Sequence, residues 1–120
     1  MKVFVYWNLH KQVWSVKALE GKDKGRVIRH TKEITLYACT FKVSQAGRER
    51  VLREKRKNVH AGVVGKWIGG DEGIAFPEYY YPVTYNPYRF STFVHRYTQE
   101  PVMHAGCVHM TDNRNVVACN

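Results

Sequence analysis

The chain has 120 residues, 44% hydrophobic and 13% aromatic, with a formal net charge of +9. Such a length and composition fit one compact domain over residues 1–120 and exclude a disordered chain, a solenoid or two independent cores. The excess of Lys and Arg favours acidic partners, nucleotides and nucleic acids before membranes, because no stretch approaches the ~20 apolar residues of a spanning helix.

Taken in order, residues 2–8 (KVFVYWN) and 12–19 (QVWSVKAL) are β-branched and aromatic, and the short NLHK between them predicts a hairpin. The N-terminal MKVFVYWNLHK has neither the apolar core nor the cleavage site of a signal peptide, so a cytoplasmic protein is expected. Trp14, Val16 and Ala18 alternate with Ser15 and Lys17, the period of a half-buried strand. EGKDKG predicts a turn before a third strand, RVIRH, and ITLYACTFKV a fourth, in which Cys39 reads as a small buried hydrophobe. Cys39, Cys107 and Cys119 are odd in number and irregularly spaced, so free thiols are expected.

Ser44 is a good N-cap, Val43 a candidate staple residue, and the residues after them predict a helix from about Gln45 to Lys55. Ala46, Arg50, Arg53 and Lys57 share one stripe, and Gly47, Val51 and Leu52 lie towards another that could dock on a sheet. Basic residues at the C-terminal end also oppose the helix dipole. VHAGVVGKWIG returns to strand character and GGDEG marks a loop. The long connection from Gly69 to Pro87, with FPEYYYPVTYNPY, is too aromatic for a solvated linker and predicts an ordered loop or lid. RFSTFVHRYT predicts a strand with Arg89, Ser91, Phe93, His95 and Tyr97 on one face, and PVMHAGCVHM and NVVAC pair about the turn TDNRN. The predicted class is α+β, a mainly antiparallel sheet of seven or eight short strands with one principal helix packed on it.

The segments NLHKQVWSVKALEGKDKGRV, VSQAGRERVLREKRKNVHAGVVG and TYNPYRFSTFV resemble a family of small tailed-bacteriophage proteins with no assigned activity. The resemblance implies a phage accessory protein of the host bacterial cytoplasm rather than a virion component. Small accessory proteins of this kind are often counter-defence factors, and the resemblance carries no catalytic residues.

Two constellations suggest a ligand. Arg48, Arg50, Arg53, Lys55, Arg56 and Lys57 lead into His60, and guanidinium groups bind phosphate oxygens through paired charge-assisted hydrogen bonds. The bland alternative is a solvated helix face, with Glu49 and Glu54 supplying i,i+4 pairs. In the second, Tyr85 and Tyr88 flank an Asn86-Pro87 turn before Arg89 and His95, which are parts of a nucleotide pocket. An ordinary Asn-Pro turn with packed tyrosines would look the same.

The expectation is therefore a phage protein that sequesters a small phosphorylated ligand, a nucleotide or cyclic-nucleotide immune signal. The ligand-binding residues would be Arg48, Arg50, Arg53, Lys57, His60, Tyr85, Asn86, Tyr88, Arg89 and His95, with a homo-oligomer placing ligand at an interface. One alternative is a metal-independent phosphodiesterase or ribonuclease using His60 and His95 as general acid and base, the other histidines being His10, His30, His104 and His109. The other is a nucleic-acid or host-protein binding module built on the basic helix. His104, Cys107, His109 and Cys119 are metal-ligand types without a CxxC or HExxH spacing, and the glycines form no Walker or dinucleotide fingerprint, so neither metal nor cofactor is expected.

Overall fold

The N-terminal alternation is realised as three antiparallel strands, β1 (Lys2–Asn8), β2 (Val13–Ala18) and β3 (Val27–Thr31), in a computed structural model describing residues 1–69 and 79–120. Val3 pairs with Ala18, Val5 with Val16 and Trp7 with Trp14, so these side chains share the core face. Val3, Val5, Val16 and Ala18 are fully buried there, and the two tryptophans meet edge to face at 5.0 Å. Lys2, Phe4, Tyr6, Ser15 and Lys17 occupy the outer face by the same period. The Asn8 carboxamide oxygen accepts the backbone N–H groups of His10 and Lys11 and so shapes the predicted hairpin.

β4 (Ile34–Val43) leads into α1 (Gln45–Glu54), and the chain returns as β5 (Ala61–Lys66), antiparallel to both β4 and β1. Within β4 the buried side chains change parity, from Ile34 and Leu36 to Cys39 and Phe41. The cause is an irregularity against β5 at Ala38, whose φ of 50° lies in the left-handed region. Ser44 caps α1 as expected, its hydroxyl accepting the Gly47 N–H at 3.2 Å.

The remaining strands are β6 (Tyr81–Thr84), β7 (Val94–His95), β8 (His104–Thr111) and β9 (Asn115–Cys119), giving one antiparallel sheet in the order β3-β2-β1-β5-β4-β8-β9-β6-β7. An α+β arrangement with one α-helix holds, but the strands number nine among the described residues rather than seven or eight. The difference lies in the tyrosine-rich connection expected to be a loop or lid, where Tyr81–Thr84 pair with β9 instead. Proline is tolerated here because the Pro82 carbonyl accepts from Arg96 N–H, so its missing donor faces the two-residue strand β7 rather than β9. Residues 70–78, including most of the predicted GGDEG loop, lie outside the described residues. RFSTFVHRYT is also not one long strand, since only Val94 and His95 pair and turns lie on both sides.

The sheet curls so that strands distant in its order share one core. Trp14 Nε1 on β2 donates to the Thr111 carbonyl at the end of β8, 2.9 Å away. Phe93 packs on Phe41 and on Tyr85, at ring separations of 5.0 and 5.2 Å. Val5, Leu36, Phe41, Val63, Val108 and Met110 form the centre of this core. Among the described residues no helix is long and apolar enough to cross a membrane.

Candidate functional site

α1 is fastened to the turn that follows β6. Arg48 Nε donates to the carbonyls of Pro87 and Phe90, both at 3.0 Å, and Gln45 Nε2 donates to Ser91 O at 2.8 Å. The helix can also approach the start of β5 because residue 47 is glycine, where a Cβ would lie 2.5 Å from His60 Cβ. α1 ends at Lys55, whose φ of 59° and N–H bond to Val51 O turn the chain back beside the helix. The basic segment and the Tyr/Asn/Pro turn are thereby brought together.

His60 stands at their junction. Its Nδ1 lies 2.7 Å from the Asn58 carbonyl, which can only accept, so Nδ1 carries a proton. In the neutral ring Nε2 then accepts from the Tyr85 hydroxyl, also at 2.7 Å. Burial raises the pKa of Tyr85, partly offset by the Arg48 guanidinium, so this phenol stays protonated and donates.

These elements enclose a cleft of about 490 Å³. One wall carries Lys55, Lys57, Asn58 and His60, and the other Tyr85, Asn86 and Tyr88, with Trp7 and Arg114 also lining it. Lys55 Nζ sits 5.8 Å from the Tyr88 ring centre. No carboxylate is among the described residues that line the cleft. A second cavity of about 230 Å³ shares Trp7, Ala61, Thr84, Tyr85 and Arg114 and continues among Val5, Val63, Val83 and Phe93. Cations at the mouth and an apolar recess behind Tyr85 could take the phosphate and the base of one nucleotide.

Of the residues singled out by sequence, Lys57, His60, Tyr85, Asn86 and Tyr88 line the cleft. Arg48 supports it from behind through the Pro87 and Phe90 carbonyls. Arg50 and Arg53 are exposed on α1 and do not line it, and Arg89 lies over Phe90 at 5.2 Å. The structure does not bring His95 to His60. His95 Nδ1 accepts from the N–H groups of Tyr97 and Thr98, and its ring is stacked on Tyr81 at 5.3 Å.

Sequence reasoning missed Trp7, Asn58 and Arg114. Arg114 reaches the cleft from the β8–β9 hairpin, where Asn113 and Arg114 have φ of 61° and 64°. Asparagine tolerates that conformation, but arginine adopts it at a cost. Loss of hydration lowers the Arg114 pKa from its ordinary value.

The sulfur groups lie apart from this cleft. Cys39, Cys107 and Cys119 are buried free thiols, with Cys107 and Cys119 paired across β8 and β9. Burial, then the neighbouring Cys107, pushes Cys39 up to about 12, and burial followed by Cys119 pushes Cys107 to about 11. Protonated thiols of this kind are poor ligands and nucleophiles. His109 Nδ1 is 2.7 Å from Thr35 Oγ1, and no group of three or more His, Cys, Asp or Glu among the described residues is arranged to hold a metal.

Comparison with known proteins matches residues 1–118 to a family described as the Mycobacterium phage L5 gene 82 protein. The "Gene 82 protein" of Mycobacterium phage L5 is 42% identical over 121 residues, covering 94% of this chain and 92% of that protein. No solved structure matches.

Proposed function

The chain belongs to the family of the Mycobacterium phage L5 gene 82 protein, and from that premise we propose that it sequesters a small phosphorylated ligand in the host cytoplasm. The ligand is a nucleotide or cyclic-nucleotide immune signal, and its capture counters bacterial defence. The observation that carries this reading is the cleft whose described lining residues include no carboxylate and in which Lys55, Lys57 and Arg114 accompany Tyr85, Tyr88 and two amide side chains. Lysine and arginine take the phosphate, while tyrosine and tryptophan rings take a base. The Asn86 oxygen accepts the Tyr88 N–H at 2.9 Å, which orients its amide N–H₂ as a donor for recognition.

Binding suits this site better than hydrolysis, since acid–base chemistry with two histidines needs both rings at one ligand and His95 is engaged elsewhere. Isothermal titration against linear, cyclic and ADP-ribose-type nucleotides should give saturable heat with one class. That affinity should fall roughly tenfold in Lys57→Ala or Arg114→Ala, the scale of one charge-assisted hydrogen bond. The ligand should be recovered chemically intact after denaturation. Absence of heat for every class would overturn the proposal.

A further inference from the structure

We propose that the outer face of the sheet is a second binding site, in which Lys2, Lys42 and Lys66 hold the phosphate backbone of a single-stranded nucleic acid and Phe4 and Tyr6 stack its bases. It is separate from the cleft, for the basin these lysines border shares no described lining residue with it.

Lys2 and Lys66 are direct cross-strand partners on β1 and β5. Like charges in that position destabilise a sheet, so folding alone gives no reason for the pair. Lys42 on β4 pairs with Gly62, four residues from Lys66 along the same face of β5. The three lysines are exposed and border a basin of about 450 Å³ floored by Ala38, Val64 and Gly65. Further polar groups converge there. The Met1 ammonium, which also lines the basin, donates to the Trp67 carbonyl at 3.1 Å, and the Thr40 hydroxyl, another lining group, is 3.3 Å from His104 Nδ1. Glu20 is the one carboxylate among the described lining residues, and one of its oxygens already accepts the Lys2 N–H at 2.9 Å.

An aromatic pair adjoins these cations. Phe4 is partnered by Val64 on one side and Lys17 on the other, and its ring lies 5.9 Å from that of Tyr6 at an interplanar angle of 32°. Glycine at position 62 makes room, for a Cβ there would come within 2.6 Å of the Phe4 ring. By the strand register the three cations span roughly 15 Å, wider than one phosphate and suited to successive phosphates of a chain. Lysine supplies mobile point charges rather than a planar fork, which fits backbone contacts without sequence preference. Sheet-borne aromatics beside such a track are a recurring way to hold single strands.

The test is fluorescence anisotropy of a labelled oligothymidylate with the full chain across a salt series. Three phosphate contacts predict a log–log salt slope of about −2, at ~0.7 per contact for single strands. The combined Lys2→Ala, Lys42→Ala and Lys66→Ala variant should lose at least tenfold in affinity and flatten the slope. Tyr6→Leu should lose roughly tenfold with the slope retained. Removing three lysines elsewhere, in the combined Lys11→Ala, Lys22→Ala and Lys24→Ala variant, should cost far less. Thermal melts confirm that each variant is folded. The proposal is overturned by failure to bind oligothymidylate, by equal losses in the two triple variants, or by inorganic polyphosphate competing as well as unlabelled oligothymidylate.

Discussion

The cleft beside α1 and the lysine basin on the outer face are both cationic, yet their side chains are held in opposite ways. At the cleft, Arg48 behind the wall is spent on two backbone carbonyls and the lining His60 is fixed between Asn58 and Tyr85. Lys2, Lys42 and Lys66 stand instead on rigid strands with their ammonium groups exposed. Preorganised groups favour one ligand geometry, whereas mobile charges favour any polyanion that approaches. Positive charge alone therefore says little about selectivity, and what immobilises the charge says more.

The largest expected effect comes where the outer face is not mobile. Gly62 lies beneath the Phe4 ring, and an added Cβ would sit 2.4 Å from the Val5 carbonyl oxygen and 2.6 Å from the ring. Neither a backbone carbonyl nor a packed aromatic yields easily, so Gly62→Ala should destabilise the fold by about 3 kcal/mol. Urea unfolding measures it. Wild-type stability in that variant would mean that β1 and β5 can separate freely, and the rigid outer platform would be lost with that result.

Next is the tie that sets the cleft apart. Arg48→Ala removes the donor shared by Pro87 O and Phe90 O, at a cost of about 2 kcal/mol for charge-assisted bonds in a partly buried site. Nucleotide heat should weaken with it, because Tyr85, Asn86 and Tyr88 lose their support, while oligothymidylate affinity should hold. Equal loss of both ligands would mean that the two regions are one coupled surface and break the comparison.

How much of this was legible in the sequence follows the same division. Ser44, the Trp14/Val16/Ala18 alternation and the meeting of helix with Tyr85–Tyr88 could be read because each rests on local chemistry or on a surplus of one residue type. Strand β6 could not, since Pro82 disguises it and only its place beside the short β7 makes the proline harmless. The parity change at Ala38 was hidden for a related reason, because a bulge is a property of the paired strands. Arg114 was invisible as a cleft residue because the curl of the sheet, not proximity in sequence, carries it to Trp7. Counting charges likewise could not show that Arg50 and Arg53 remain outside the cleft while Arg48 is occupied by backbone.

The smallest effect is the most discriminating. If the basin exists for a ligand, its lysines oppose folding slightly, so Lys66→Ala should leave stability within about 0.5 kcal/mol of wild type or raise it. Relief of the Lys2–Lys66 repulsion acts in the stabilising direction, and the loss of alkyl packing over the sheet acts against it. Salt separates the two. Screening weakens repulsion between exposed charges, so any gain from Lys66→Ala should be largest at low ionic strength and fade near 1 M, where the Debye length is ~3 Å. A loss of stability that persists at every salt concentration would instead make Lys66 a packing residue and remove the reason for reading its charge as a site.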